Sequence, residues 1–223
     1  NINAFEDIEI VIPKLFLVGA PQAYYGGSGW DEKNGIAFKY IGDGTTKVFE
    51  AYVKVAVGEG FKLTGDGKTW NNGNYGTDGA VAAISGGQTF SLVDSGTSSD
   101  LKVADADGPG LYYVKVDLGA MTAKVVKMQW GVIGAATAGG WGGETAMGYD
   151  FTTNTWSYTG SDITAGEMKF RTANTGVYIN GTGKEWTYNV GDLLFVGDGG
   201  TGANFNVAAG VKPKLVINFD GTA

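Results

Sequence analysis

At about 150 residues per domain, a chain of 223 residues makes either one large domain or two small ones. It contains no histidine and no cysteine, which removes disulfide frameworks, thiolate nucleophiles, thiolate or imidazole metal sites and every histidine-based triad. The net charge is −7 and Arg171 is the only arginine, so nucleic acid is excluded as a partner.

Glycine supplies 39 residues, about 17% of the chain against a usual ~7%. The glycines follow no G-X-Y period and stand among 28 aromatics, a mixture that suits a sheet protein with many tight turns. Apolar residues, at 43%, are enough for packed cores. Met128 to Gly143 carries no charge, but glycines break it and it falls short of the ~20 apolar residues of a membrane span.

Asn1 to Pro13 alternates weakly through Ile8, Ile10 and Ile12 and reads as a linker or an edge strand. It has no n-region or h-region, so the chain reads as a mature or trimmed fragment. Leu15–Ala20 follows as the first strand, then a Gly29-Trp30 loop. Val48–Val57 is β-rich with partial alternation, as is Leu111–Leu118. Turn clusters at Ile41–Gly44, Thr64–Gly67 and Ser85–Gly87 punctuate the runs. No window sustains helical periodicity. About 110 residues with some seven short strands fits a β-sandwich.

The chain also repeats itself. Leu15–Ala20 returns as Trp130–Ala135, with Gly19 matching Gly134. Trp30 matches Trp141, and Lys62 in Phe-Lys-Leu matches Lys169 in Met-Lys-Phe. Gly96–Val103 matches Gly200–Val207, and Tyr113–Asp117 matches Val216–Asp220. The offset shrinks steadily from 115 to 103, as shorter loops in a second copy would give. The predicted organisation is two tandem modules, 14–128 and 129–223. Met121–Lys127 closes the first, and the second is expected to lack that last strand.

Trp30 and Trp141 sit among glycines and small polar residues, with no alternation to carry them inward. We read them as exposed platforms, against the plainer reading of rim residues closing a sandwich end. An exposed indole offers a rigid amphipathic surface at low entropic cost, and a sugar ring can lay its C–H face on it. Lys62 and Lys169 lie between core-type neighbours, so alternation turns them outward. Downstream, Lys68–Gly76 holds Trp70 and Tyr75 among asparagines, and the second copy offers Tyr178 in place of that tryptophan. Asp100 and Asn204 match in a later loop. Phe49 and Trp156 fall inside strands and are assigned to the core. Trp130 is expected at the junction between modules, and Trp186 reads equally as core or rim.

The order of these elements is a strand ending Val-Gly, a Gly-Trp loop, a Phe-Lys-Leu strand, Trp70–Gly76, then Pro109–Leu118. In that order the chain resembles the SusE/SusF-type outer-membrane lipoproteins of Bacteroidetes. The resemblance implies immunoglobulin-like carbohydrate-binding modules, held at the cell surface by an N-terminal lipid absent from this sequence and associated with a glycan-uptake complex. Starch is the family's best-known ligand. Carried over by motif, one site would use Trp30, Lys62, Trp70, Tyr75 and Asp100, and the other Trp141, Lys169, Tyr178 and Asn204. Asp100 stands where an amide is more usual, and no arginine accompanies either late loop, so the expected ligand is a polysaccharide or oligosaccharide of α-glucan or other type. A monomer without cofactor or metal is expected.

Two other classes compete. A glycosidase needs two carboxylates across a cleft; Asp31, Glu32, Glu144 and Glu167 are available, but no pair recurs between the copies. A structural or adhesin-like spacer predicts that Trp30 and Trp141 are buried. Asp105-Ala-Asp107-Gly108 has calcium-loop spacing but lacks the downstream glutamate and reads as a polar turn.

Overall fold

Alternating β-branched and aromatic residues between glycine-rich turns make strands almost everywhere. A computed structural model describes residues 11–79, 88–105, 108–172, 186–189, 194–198 and 204–222, the segments 186–189 and 194–198 by their backbone pairing alone. In chain order the strands are β1 (Phe16–Gly19), β2 (Ile36–Ala37), β3 (Lys39–Tyr40), β4 (Val48–Val55), β5 (Gly60–Thr64), β6 (Tyr75–Thr77), β7 (Gln88–Asp94), β8 (Leu101–Lys102), β9 (Gly110–Asp117) and β10 (Thr122–Lys127). They continue as β11 (Trp130–Ile133), β12 (Thr145–Asp150), β13 (Thr155–Tyr158), β14 (Gly166–Thr172), β15 (Trp186–Asn189), β16 (Leu194–Asp198), β17 (Phe205–Val207) and β18 (Lys214–Val216). Short 3₁₀ segments stand at Ala20–Tyr25 and Glu32–Asn34.

The strands form two sheets. The first runs β2-β1-β5-β6-β7-β10-β9-β4-β3, with β8 added on β5. The second runs β16-β15-β14-β11-β12-β13-β18, with β17 added on β14. Strand β7 turns the corner in the first sheet, pairing with β10 through Gln88–Ser91 and with β6 through Leu92–Asp94. Leu17, Phe61 and Leu63 from one side of that corner therefore share a core with Phe49, Val53, Val114 and Val116 from the other. Each such buried side chain contributes ~1.5–3 kcal/mol by leaving water.

Both faces of β4 are covered, which is why its alternation is only partial in the sequence. Phe49, Ala51, Val53 and Val55 face the first core, while Tyr52 joins Leu111, Tyr113, Val126 and Met128 in a second core with Trp130, Trp156 and Met168. Trp130 is fully buried there, in a cluster drawn from both sheets, as its place in the sequence predicts. Phe49 and Trp156 are likewise buried. The Lys54 ammonium lies 4.7 Å from the Tyr24 ring centroid and 4.5 Å from that of Phe151, and donates to the Thr152 carbonyl at 3.2 Å.

One alignment requires correction. Phe49 pairs with Val116, and its counterpart Trp156 pairs with Leu215, so Leu215 takes the position that the sequence comparison gave to Phe219. Strand β18 stops at Val216, and the chain then crosses to the first sheet. There Phe219 enters the first core edge-on to Tyr25 and Phe38, and its carbonyl accepts from the Tyr52 N–H. The misalignment arose because Val-Ile-Asn-Phe-Asp alternates like a strand, while the pairing partner that ends the strand is invisible in one dimension.

Candidate functional site

Strand β5 places the first constellation. Phe61 and Leu63 are fully buried in the core, so the alternation sends Lys62 to the opposite face, but there it is only 7% exposed and not the solvent-facing lysine expected from the sequence. On one side Lys62 pairs with Val18 of β1. On the other, β8 pairs Gly60 with Lys102 and Phe61 with Leu101, a register that carries Lys62 to Asp100. The Asp100 side chain lies against Gly60, where an added Cβ would come within 2.8 Å of the Asp100 Cβ. Lys62 Nζ sits 5.5 Å from the centroid of the Trp70 ring. Burial pushes the Lys62 ammonium below its usual range, and the Asp100 charge partly offsets this.

Trp70 is presented by a loop wound around Asp66. That carboxylate accepts from the Lys68 and Thr69 N–H groups, both at 2.9 Å, and from Asn72 Nδ2 at 2.6 Å. The Thr64 hydroxyl donates to the Thr69 carbonyl at 2.7 Å. Those donors hold the Asp66 carboxyl well below the usual carboxylate range.

Trp30 is 42% exposed and takes a left-handed backbone, φ +61°. For a bulky residue that conformation costs ~1–2 kcal/mol and persists only where its surroundings impose it. Gln22 is the imposing group. Fully buried, its Oε1 accepts from the Gly19 N–H at 3.0 Å and the Asp31 N–H at 3.1 Å. Its Nε2 donates to the carbonyls of Asp31 at 2.9 Å and Asn34 at 2.8 Å. The Trp30 N–H closes the loop by donating to the Gly19 carbonyl at 3.2 Å.

The second sheet repeats this geometry. Lys169 lies between the buried Met168 and Phe170 and pairs with Ile133 of β11. Strand β17 pairs Glu167 with Asn206 and Met168 with Phe205, a register that carries Lys169 to Asn204. The rows Val18–Lys62–Asp100 and Ile133–Lys169–Asn204 thus match strand for strand. The matched glycines behave alike too: an added Cβ at Gly19 or Gly134 would come within 2.5 Å of the Cα of Phe61 or Met168, respectively.

Trp141 is 46% exposed on a shorter loop after Gly140, whose φ is +57°. There the Gly134 N–H donates to the Gly140 carbonyl and the buried Thr137 hydroxyl donates to the Gly134 carbonyl. Differences are also plain. Glu167 stands where Gly60 does, and Asn204 is exposed while Asp100 is half-buried. Arg171, on the same face as Lys169, is ion-paired to Glu144.

Not every expected residue joins these rows. Tyr75 pairs with Leu63, on the core side of β5, and packs against the first core with its ring covered by Gly73. It faces away from Lys62, because one step along a strand reverses the face. Tyr178, Asp107, most of Asn1–Pro13 and the side chain of Trp186 lie outside the described residues. Gln22 and Asp66 were not singled out from sequence, and Arg171 was noted only as the sole arginine. The first two act through loop backbone groups that no periodicity displays, although the Thr-Gly-Asp-Gly cluster marks the turn that Asp66 organises.

A search of solved structures finds SusF from Bacteroides thetaiotaomicron, with a TM-score of 0.54 and 20% identity over 94% of this chain. The likeness shows a shared fold, and the matched region spans 46% of that protein. No protein-family model matches the chain, and no curated protein sequence does.

Proposed function

We propose that the chain is a non-catalytic polysaccharide binder of SusE/SusF type, made of two tandem immunoglobulin-like β-sandwich modules, 14–128 and 129–223, and displayed at the outer-membrane surface. The observation that carries this reading is the duplicated row of lysine and Asp or Asn on the face of equivalent strands opposite the core, each in a sheet whose loops also expose a tryptophan. The indoles stack on sugar rings. Lys62 and Lys169 donate to hydroxyls; Asp100 accepts from them, and Asn204 does both. Each such hydrogen bond contributes ~0.5–1.5 kcal/mol net, so each site is weak and the pair acts by avidity. The ligand is an α-glucan or another glycan captured for uptake.

Two observations weigh against the competing classes. A spacer would bury Trp30 and Trp141, whereas both are more than two-fifths exposed. A glycosidase acid needs a raised pKa. At Glu144 burial pushes upward, but the Arg171 hydrogen bond and charge, with a backbone hydrogen bond, outweigh it and leave the carboxyl lowered, which argues against Glu144 as that acid.

Affinity gel electrophoresis over amylopectin, pullulan, xylan, β-glucan, mannan and levan tests the proposal. Retardation by one polymer, reduced in Trp30→Ala and in Trp141→Ala, is the expected result. Unretarded migration in every polymer, with both variants less stable than wild type, would return the tryptophans to a structural role.

A further inference from the structure

The loop that exposes Trp30 also borders an open cavity of about 500 Å³, lined in part by Gln22, Tyr25, Gly27, Ser28, Asp31 and Asn34. Ser28 and Asp31 flank Trp30 in the chain, so their Cα atoms stand within ~7 Å and ~3.8 Å of its own. The second sheet connects Thr137 to Trp141 by a shorter loop than the one from Gln22 to Trp30.

The walls of this cavity are of two kinds. Tyr25 and Ile36 contribute apolar surface, and the Tyr25 hydroxyl is already engaged, accepting from the Lys54 N–H and donating to the Tyr52 carbonyl. The Gln22 amide is fully used by the four loop bonds that keep the cavity open. The polar side comes from Ser28, Asp31 and Asn34. The Asp31 carboxylate accepts from the Lys33 N–H at 3.1 Å and Asn34 Nδ2 at 2.7 Å, which leaves about two of its four acceptor positions for a ligand. No lysine or arginine lines the cavity. An apolar surface beside hydroxyl acceptors suits a pyranose ring, and a carboxylate with no cation beside it rejects a uronic acid.

Resting on the glycan reading above, we propose that this cavity is an accessory subsite of the first sheet that takes one uncharged sugar residue, attached as a branch or chain end to a glycan stacked on Trp30. The first sheet then prefers branched over linear glycans, and the second, with its shorter loop, does not.

The test uses the full chain carrying Trp141→Ala, so that the first sheet alone contributes its tryptophan site. Matched linear and branched oligosaccharides are titrated: manno-oligosaccharides with and without galactosyl branches, and malto-oligosaccharides with and without a 6-glucosyl branch. The indole Nε1–H resonance of Trp30, assigned by its loss in Trp30→Ala, reports on Trp30, and the methyl resonances of Ile36 report on the cavity. We expect at least fivefold tighter binding of one branched member over its linear partner, with a shift of the Ile36 methyls. Gly27→Leu should remove that preference while leaving the linear affinity unchanged. This substitution is tolerated, since an added Cβ there meets only the Gln22 carbonyl oxygen at 3.4 Å and looser atoms of that residue. A Trp30 response with no Ile36 shift and equal affinities overturns the subsite alone. No response of Trp30 to any sugar overturns the glycan reading and the subsite with it.

Discussion

Trp30 carries the account at the scale of single residues, and its backbone makes function separable from stability. At φ +61° an alanine keeps the left-handed penalty whereas a glycine escapes it. Trp30→Gly should therefore be about 1 kcal/mol more stable than Trp30→Ala, while both abolish polysaccharide retention at the first site; thermal unfolding beside affinity electrophoresis checks the two halves independently. Gln22→Leu fills the same space but strands two N–H and two carbonyl groups of the loop. The expected cost is about 3 kcal/mol, a fall in Tm of about 6–12 °C, together with loss of binding at Trp30. An unchanged Tm would mean that Gln22 does not hold the loop. The bare glycine setting of Trp30 and Trp141 made their exposure legible in the sequence. The clamp was not legible, because a buried amide is recognised by its partners and those are backbone groups of a loop.

Among elements, the strands were the readable part and the turn-borne side chains the less readable one. Lys62 between Phe61 and Leu63 leaves the core by simple alternation, and the same rule, applied along β5 and β8, sets Asp100 beside it. The burial of Lys62 at 7% exposure was not legible, because it depends on the loop that brings Trp70 over it. Tyr75 was grouped with Trp70 on nearness in sequence, yet the loop between them reverses the chain and β6 pairs its tyrosine to the core side. The Trp70 loop depends on Asp66, whose carboxyl is held below its unfolded value by the Lys68 and Thr69 N–H groups and Asn72. A depressed carboxyl pKa contributes stability that is complete above the unfolded value of ~3.9 and is lost as pH falls through the folded one. Acidification below about pH 4 should therefore loosen this loop in the wild type. Asp66→Ala should show the loosened state already at neutral pH, read as a changed Trp70 emission, taken as the difference from the matching Trp70→Phe variant, with the acid-dependent step removed. If the variant keeps the wild-type emission and its acid transition, Asp66 is not the loop's organiser.

For the molecule as a whole, the two sheets are bound to each other through Trp130, through Lys54 between Tyr24 and Phe151, and through Phe219 seated in the first core. The matched motifs keep their order in the sequence, and the strand registers of the rows Val18–Lys62–Asp100 and Ile133–Lys169–Asn204 agree with that order. The return of the C-terminal segment to the first sheet was not legible, since nothing in Asn218–Ala223 distinguishes a strand end from a departure. Two weak sites on one chain should gain ~10²–10⁴ in apparent affinity for a polymer that reaches both, and nothing for a short oligosaccharide. The most direct measurement is calorimetric titration of wild type, Trp30→Ala, Trp141→Ala and the double variant with the polysaccharide identified by electrophoresis, thermal unfolding being monitored in parallel. Retained folding in all four is expected, with a tenfold or greater loss in each single variant and no binding in the double. A folded double variant that binds like wild type would contradict the assignment of binding to the two tryptophans.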